Sequence, residues 1–401
     1  MSNWRGTTLG DEIDLAYGRA LPAHSRHPGV YGVFGSNGLV GTHAEACVDG
    51  PGIVVGRKGS VGEIVYSSDA FWPIDTTYYV VNKGDHNWRF LFHLLRHIDL
   101  TGLNSHSAVP GLNREDAYSI SVSWPSRDEQ DDIARVLDSL ENGVRLETEA
   151  LAHAQDLKQA AMRELFMRGL RAEPQKETDL GPIPESWVVE PLRAHHSVAS
   201  GGTPSRSNPA YWVGGKIPWV KTAEVDYCVI EKTEEHITPA GLAESAAKLL
   251  PAGTLLLAMY GQGVTRGRVA ILGIDAACNQ ACAAIRASDD RIEGKYLYHY
   301  LVSRYSAIRQ LAHGGQQQNL NLDIVRDLPV AFPADKTEQN EIVAILNAID
   351  RKIDLHQQKR AVQEALFKAL LHKLMTGEIA VDELDLSALY RAAVISEEAT
   401  A

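Results

Sequence analysis

Between Arg127 and Arg168 the chain has no proline and one glycine, Gly143, and its apolar residues fall on one stripe. Ile133, Leu137, Leu140, Val144, Glu147, Leu151, Ala154, Lys158, Ala161 and Leu165 follow one another at steps of four and three, and eight of the ten are apolar. A period of about 3.5 residues predicts a long helix with a coiled-coil seam. Adding 209 to each position gives Ile342, Leu346, Ile349, Ile353, His356, Arg360, Gln363, Phe367, Leu370 and Leu374, of which seven are apolar. The same helix therefore occurs twice in the same register. Each, at about 37 residues, would be about 55 Å long, too long for the wall of a compact domain. A core helix inside a larger fold is the competing reading.

Elsewhere the pattern is shorter. Gly52-Ile53-Val54-Val55 and Thr77-Tyr78-Tyr79-Val80-Val81 read as strands between Gly/Asn/Asp turn signals, with one helix near Trp88–Ile98. The section before each long helix is therefore an α+β domain. The text also repeats at the junctions. Trp124-Pro125 precedes Glu129-Gln130, as Phe332-Pro333 precedes Glu338-Gln339. Trp4-x4-Leu9 is echoed by Trp187-x4-Leu192, and Gly111-Leu112-Asn113 by Asn319-Leu320-Asn321. The predicted order is a globular domain over 1–125, a long helix over 126–168, a Pro/Gly-marked linker over 169–186, a second globular domain over 187–333, a second long helix over 334–376, and an acidic tail over 377–401. Such a chain is a pseudo-two-fold dimer in one polypeptide. Its fold class is α+β, two globular domains separated by a pair of long antiparallel coiled-coil helices. In the expected register the fifth seam position of one helix faces the sixth of the other, so that Glu147 meets Arg360.

Composition changes this picture little. An apolar content of 44% suits a globular protein, and no apolar run approaches the roughly 18 residues of a membrane span. Four cysteines give no disulfide framework, and the opening residues show no signal segment, so a reducing cytoplasm is the expected location. Cys278 and Cys282 lack the partners of a zinc site, and no metal is expected. Charge matters more. The net of −12 divides into −3 over 1–125, −5 over 126–179, 0 over 180–333 and −4 over 334–401. The globular sections are nearly neutral. A polyanionic ligand would need local basic patches or charge from a partner.

Gly56-Arg57-Lys58-Gly59-Ser60-Val61-Gly62 and Gly261-Gln262-Gly263-Val264-Thr265-Arg266-Gly267-Arg268 lack the spacing of nucleotide-binding loops. Their glycines let backbone amides and the cations Arg57, Lys58, Arg266 and Arg268 approach phosphates. Tyr31–Gly38 reads as a turn that carries Asn37. Gln316, Gln317, Gln318 and Asn319 form an amide run suited to adenine edges, or else a solvated loop. Arg206, Lys221 and Thr222 flank Tyr211, Trp212 and Trp219. Asn208-Pro209-Ala210-Tyr211 approximates the base-holding motif of adenine methyltransferases, but alanine replaces its second proline and no cofactor turn precedes it. The histidines His195 and His196 have no catalytic partner, and no complete active site is legible.

Two variable domains, each followed by a repeated long helix, resemble the specificity subunit of type I restriction-modification enzymes. The local motifs that carry the likeness are Tyr31–Gly38, Gly52–Gly62 and Phe71–Tyr78 in the first domain, and Gly201–Ser205, Asn208–Trp212 and Ile217–Val220 in the second. Pro182–Trp187 resembles the usual opening of a second recognition domain. The resemblance implies a non-catalytic subunit whose domains each read half of a bipartite, asymmetric site on double-stranded DNA, the half-sites about 34 Å apart. On the same resemblance Asn37, Ser60, Lys221, Gln262, Gln317 and Asn319 would read base edges, and the helix pair would act as spacer and platform for two modification subunits and two restriction subunits. S-adenosylmethionine would be bound by the modification subunits and no cofactor by this chain. A single-chain methyltransferase or nuclease, and a coiled-coil adaptor that binds only protein, are the alternatives.

Overall fold

The computed structural model describes residues 4–103, 111–261, 263–312 and 319–385. The chain forms two compact units, Met1–Ala150 with His356–Ala401, and Leu151–Leu355. Each unit holds one set of sheets and a part of both long helices.

The first unit contains β1 (Arg5–Thr8), α1 (Leu9–Glu12), β2 (Ile13–Tyr17), β3 (Tyr31–Gly35), β4 (Gly38–His43), β5 (Gly52–Gly56), β6 (Ile64–Ser67), β7 (Phe71–Pro73) and β8 (Thr77–Asn82). Next come α2 (Trp88–Ile98), α3 (Arg114–Tyr118), β9 (Ser121–Trp124) and the start of α4 (Arg127–Arg168). The sheets run β2-β8-β5-β6, β4-β3-β7 and β1-β9. β5 is buried along its whole length, which is why it reads as an unbroken apolar run. α2 starts where the Asn87 side chain accepts from the amides of Arg89 and Phe90, satisfying two otherwise orphaned donors. It turns Phe90, Leu91, Leu94 and Leu95 into a core shared with Ile13, Leu15, Ile53 and Val80.

The second unit holds the end of α4, then β10 (Gln175–Thr178), β11 (Gly181–Pro184), β12 (Trp187–Pro191), β13 (His196–Ser200), β14 (Ile217–Val220), β15 (Val229–Ile230), β16 (Glu235–Ile237) and α5 (Pro239–Ala243). It continues through β17 (Leu255–Ala258), β18 (Val269–Leu272), β19 (Ala277–Cys278), β20 (Cys282–Ala287), α6 (Gly294–Ser303), α7 (Tyr305–Gln310), α8 (Leu322–Arg326), β21 (Pro329–Pro333) and the start of α9 (Lys336–Met375). Its sheets run β13-β20-β17-β18-β15, β16-β14-β19 and β12-β21, with the β10-β11 hairpin apart. Apart from β15 and this hairpin, the strand orders match those of the first unit. The centre of each three-stranded sheet pairs antiparallel with one neighbour and parallel with the other. The internal repeat is thus one of topology as well as of text.

The repeated Glu-Gln motif has a structural explanation. Gln130 is buried; its side-chain amide donates to the Pro125 carbonyl at 3.2 Å, and its Oε1 accepts from the Asn87 amide at 3.0 Å. Gln339 is also buried, donating to the carbonyls of Pro333 and Arg291, both at 2.9 Å, and accepting from the Glu293 amide at 2.8 Å. Asn87 and Glu293 are the N-caps of α2 and α6. Each glutamine therefore clamps a long helix to the start of its domain's own helix.

The seam residues meet within each unit. In the first, Ile133, Leu137 and Leu140 of α4 share a core with Leu370 and Leu374 of α9, while Val144 is only half-buried. In the second, Leu151 and Ala154 pack with Ile353 and Ile349, Lys158 pairs with Asp350 at 2.6 Å, and Leu165 shares a core with Ile342 and Leu346. The predicted Glu147–Arg360 contact does not form. Glu147 Oε2 lies 2.6 Å from His356 Nδ1, with Lys359 at 3.8 Å, and Arg360 turns to Glu364 on its own helix at 3.5 Å. Fifth position thus faces fifth, and each residue of the pair meets its own counterpart in the repeat. The carboxylate gains an imidazole partner at 2.6 Å here, closer than the 3.5 Å at which Arg360 reaches Glu364.

Residues 169–186, expected as a linker, contain the antiparallel β10-β11 hairpin. It is tied down at its start, where the Leu170 amide donates to Glu338 Oε1 at 2.7 Å and Arg171 pairs with Glu341 at 2.7 Å. In the tail, Val381–Glu383 forms a short turn, and 386–401 lie outside the described residues.

Candidate nucleic-acid interface

The two Gly/Arg stretches occupy equivalent places in the two units, the β5-β6 loop and the β17-β18 loop. Both are tight. Gly59 and Gly62 have φ of +82° and +78°, and a Cβ on Gly62 would lie 2.4 Å from the backbone of Leu100. Gly263 and Gly267 have φ of +88° and +89°. Such left-handed positions favour glycine on steric grounds. The repeated Leu-Asn motif holds each loop at its base. The Leu112 amide donates to the Arg57 carbonyl at 3.0 Å and the Leu320 amide to the Met259 carbonyl at 3.1 Å. Asn113 and Asn321 then cap α3 and α8.

In the first unit the structure gathers several predicted residues. The Ser36 hydroxyl donates to the carbonyls of Lys58 and Thr76, so the β3-β4 turn with exposed Asn37 abuts the loop of Arg57, Lys58 and Ser60. Lys58 is exposed, and Arg57 and Ser60 are half-buried. The Arg57 guanidinium rests 5.2 Å from the ring centre of Tyr17 and 5.8 Å from that of Tyr78, and donates to the Asp75 carbonyl. Arg114 lies over the same two rings at 4.8 and 5.9 Å. Sequence reasoning missed Arg114, Tyr17 and Tyr78. The repeated Leu-Asn text beside Arg114 was the available signal.

The second unit differs. Arg206 stacks on Trp212 at 3.8 Å and on Trp219 at 4.9 Å, and its guanidinium pairs with Glu235. Lys221 pairs with Glu234 and, at 3.7 Å, with Glu235. The Glu234 carboxylate raises the pKa of that ammonium group. Arg268 pairs with Asp226 at 2.5 Å and lies over Tyr227. Thr222 donates to Asn279 Oδ1 at 2.8 Å. Arg266 is a correction. It is only 8% exposed, because the β17-β18 loop folds its side chain inward, so it is not a surface contact for DNA. Asn319 is exposed. Gln262, Gln316, Gln317 and Gln318 lie outside the described residues.

The remaining motifs resolve as structure. The Asn208 side chain accepts from the Ala210 amide at 3.1 Å and caps a short turn over Pro209–Tyr211, and Tyr211 donates to Glu244. His195 bridges Glu190 and Asp289. Burial works against its protonated form, but these carboxylates prevail and raise its pKa. Buried His196 is lowered to about 4, by burial and then by His195. Among the described residues one group, His93, Asp138 and Glu141, is close enough to hold a cation. Arg89 and Arg96 already take its carboxylates, at 2.5 to 2.8 Å. Burial raises the Asp138 carboxyl, but bonds from His93 and Arg89 outweigh it and hold the group low. The cluster is an ion-pair network that docks α2 on α4.

The sequence profile of the type I restriction modification DNA specificity domain matches residues 1–155 and 184–364. The chain belongs to this family. Among its relatives, the type I restriction enzyme MjaIX specificity subunit of Methanocaldococcus jannaschii is 30% identical over 213 residues, covering 52% of this chain and 47% of that one. The EcoR124I/EcoR124II specificity subunit of Escherichia coli is 27% identical over 173 residues, covering 40% and 42%. The chain thus spans about half the length of these two relatives. The crystal structure of the type I restriction-modification S subunit from M. genitalium shares the fold, with a TM-score of 0.67 at 15% identity over 93% of this chain and 96% of that one. The specificity-family assignment agrees with the sequence resemblance. No helix among the described residues is long and apolar enough to cross a membrane.

Proposed function

We propose that this chain is the non-catalytic sequence reader of a type I restriction-modification complex. Each unit reads one half of a bipartite, asymmetric site on double-stranded DNA. The observation that carries the reading is the duplicated topology, which places a glycine-bent Arg loop at the same sheet position in both units. The different side chains around the two loops suit two different half-sites. The two long helices form an antiparallel coiled-coil pair that joins the readers and serves as a docking surface. In support, the exposed Leu146 and Leu157 of α4 recur 209 residues later as exposed Leu355 and Leu366 of α9. A surface present twice suits two copies of one partner, here modification subunits that bind S-adenosylmethionine and perform the methyl transfer. Two restriction subunits would complete the nuclease form. Partners would also add phosphate contacts to the few that local basic patches of a chain of net charge −12 can make.

The test is co-expression with the neighbouring modification gene, followed by mapping of methylated adenines across a genome. A bipartite asymmetric motif is the expected result, and a continuous or palindromic motif overturns it. Methyl transfer from labelled S-adenosylmethionine by the purified chain alone would favour the enzyme reading instead.

A further inference from the structure

The first unit carries an arginine–tyrosine platform at sheet positions where the second unit has none; there Arg268 and Arg309 lie instead over Tyr227 and Tyr305. Tyr17 at the end of β2 and Tyr78 in β8 are directly opposite across the strands, with ring centroids 5.1 Å apart. The matching pair on β13 and β20 is Ser200 and Ala283. Arg114, the first residue after the Asn113 cap, has Leu322 as its counterpart after the Asn321 cap. The three platform residues outside the Gly/Arg loop are thus particular to the first unit.

Both guanidinium carbons lie within 6 Å of both ring centres. The rings and two carbonyls fix them: Arg57 donates to Asp75 O, and Arg114 donates to Leu15 O at 3.1 Å. A carbonyl satisfies an N–H without cancelling the charge. Among the described residues neither arginine is ion-paired to a carboxylate, whereas Arg206, Lys221 and Arg268 of the second unit all are. Tyr17 is 55% exposed, both arginines are half-buried and Tyr78 is buried, so the platform opens to solvent on its Tyr17 side. Asp14 lies near enough to feel the Arg114 charge but does not pair with it, and two oriented guanidinium groups on aromatic faces, outside any direct ion pair, form a receptor for an anion.

We propose that Arg114 and Arg57, propped on Tyr17 and Tyr78, clamp a backbone phosphate of double-stranded DNA and set the position of the first unit on its half-site. The inference rests on the DNA-reading function above. Arg114 and Tyr17 thereby join the interface as positioning residues that carry no base preference of their own.

The experiment measures binding of fluorescent duplex DNA to the full chain in complex with its modification subunits, on the mapped site and on unrelated sequences, across a salt series. Arg114→Gln should weaken binding about tenfold on every sequence and reduce the slope of log K against log salt by about one. Arg114→Lys should keep the slope and lose part of the affinity, because charge remains but the planar stack does not. Tyr17→Leu should weaken binding while leaving the slope nearly unchanged. Affinity and slope unchanged in Arg114→Gln would overturn the clamp, and so would a loss confined to the cognate site, which would mean base reading. If the unaltered complex shows no salt-dependent binding, the DNA-reading function itself fails. Circular-dichroism melting of each variant separates loss of contact from loss of fold.

Discussion

Replacing Gln339 with leucine tests the clamp between each long helix and its domain. Leucine is close in size and keeps the site dry, but it leaves the Glu293 amide and the Pro333 and Arg291 carbonyls without this partner. Each buried group so stranded costs about 1–3 kcal/mol. The Pro333 bond is buried and the other two are part-buried, so Gln339→Leu should lose up to about 3 kcal/mol. Gln130→Leu strands two groups, the part-buried Asn87 amide and the buried Pro125 carbonyl, and should lose up to about 2 kcal/mol on the same scale. Urea unfolding followed by tryptophan fluorescence would give the order of the two losses. Hydrogen exchange at the amides of Glu293 and Asn87 would localise them, because each amide loses its acceptor only in its own variant. If both variants unfold within about 0.5 kcal/mol of the parent, the size of an ordinary surface change, the glutamines are not clamps. Faster exchange at Glu293 in the Gln130 variant alone would also contradict the reasoning.

Other outcomes are expected. His356→Leu leaves Glu147 with the distant Lys359 only and should cost about 1–3 kcal/mol, while leucine at both positions should recover most of it; a double-mutant cycle in urea reads the coupling, and strict additivity would refute it. Glu235→Gln releases Arg206 and weakens the hold on Lys221, so affinity for unrelated duplex DNA should rise with a steeper salt slope in anisotropy titrations; an unchanged slope would refute it. His196 is held neutral, with its pKa lowered to about 4. Between about pH 6.5 and 4 the unfolded state binds the extra proton, so this residue's contribution falls as pH falls, by at most about 1.4 kcal/mol per pH unit. Stability curves of the parent and His196→Asn should diverge over that window, and parallel curves would refute the assignment.

The long helices were legible because their apolar period is regular and no proline interrupts it. Their register was not. A seam of alternating threes and fours keeps apolar residues facing one another after a slip of one step, and only the side chains around Glu147 distinguish His356 from Arg360. The Gly/Arg loops were legible as loops, and glycine spacing located them. Sequence could not separate Arg266 from Arg268, two residues apart, since only the fold of the loop decides which one turns inward. Strand order stayed hidden because most strands are four to six residues long and short apolar runs carry no pairing signal. Glu129-Gln130 and Glu338-Gln339 stood out as repeated text, yet a hydrogen bond to a residue more than 40 positions earlier is invisible before folding.

The Glu147–His356 pair has a consequence for the evolution of duplicated chains. An assembly of two identical halves must place the same side chain on both sides of its axis, so a carboxylate there would oppose a carboxylate and an imidazole an imidazole. Fusion into one polypeptide lifts that constraint. The two copies can diverge until acid meets base, a match that neither ancestral half could make with its own twin.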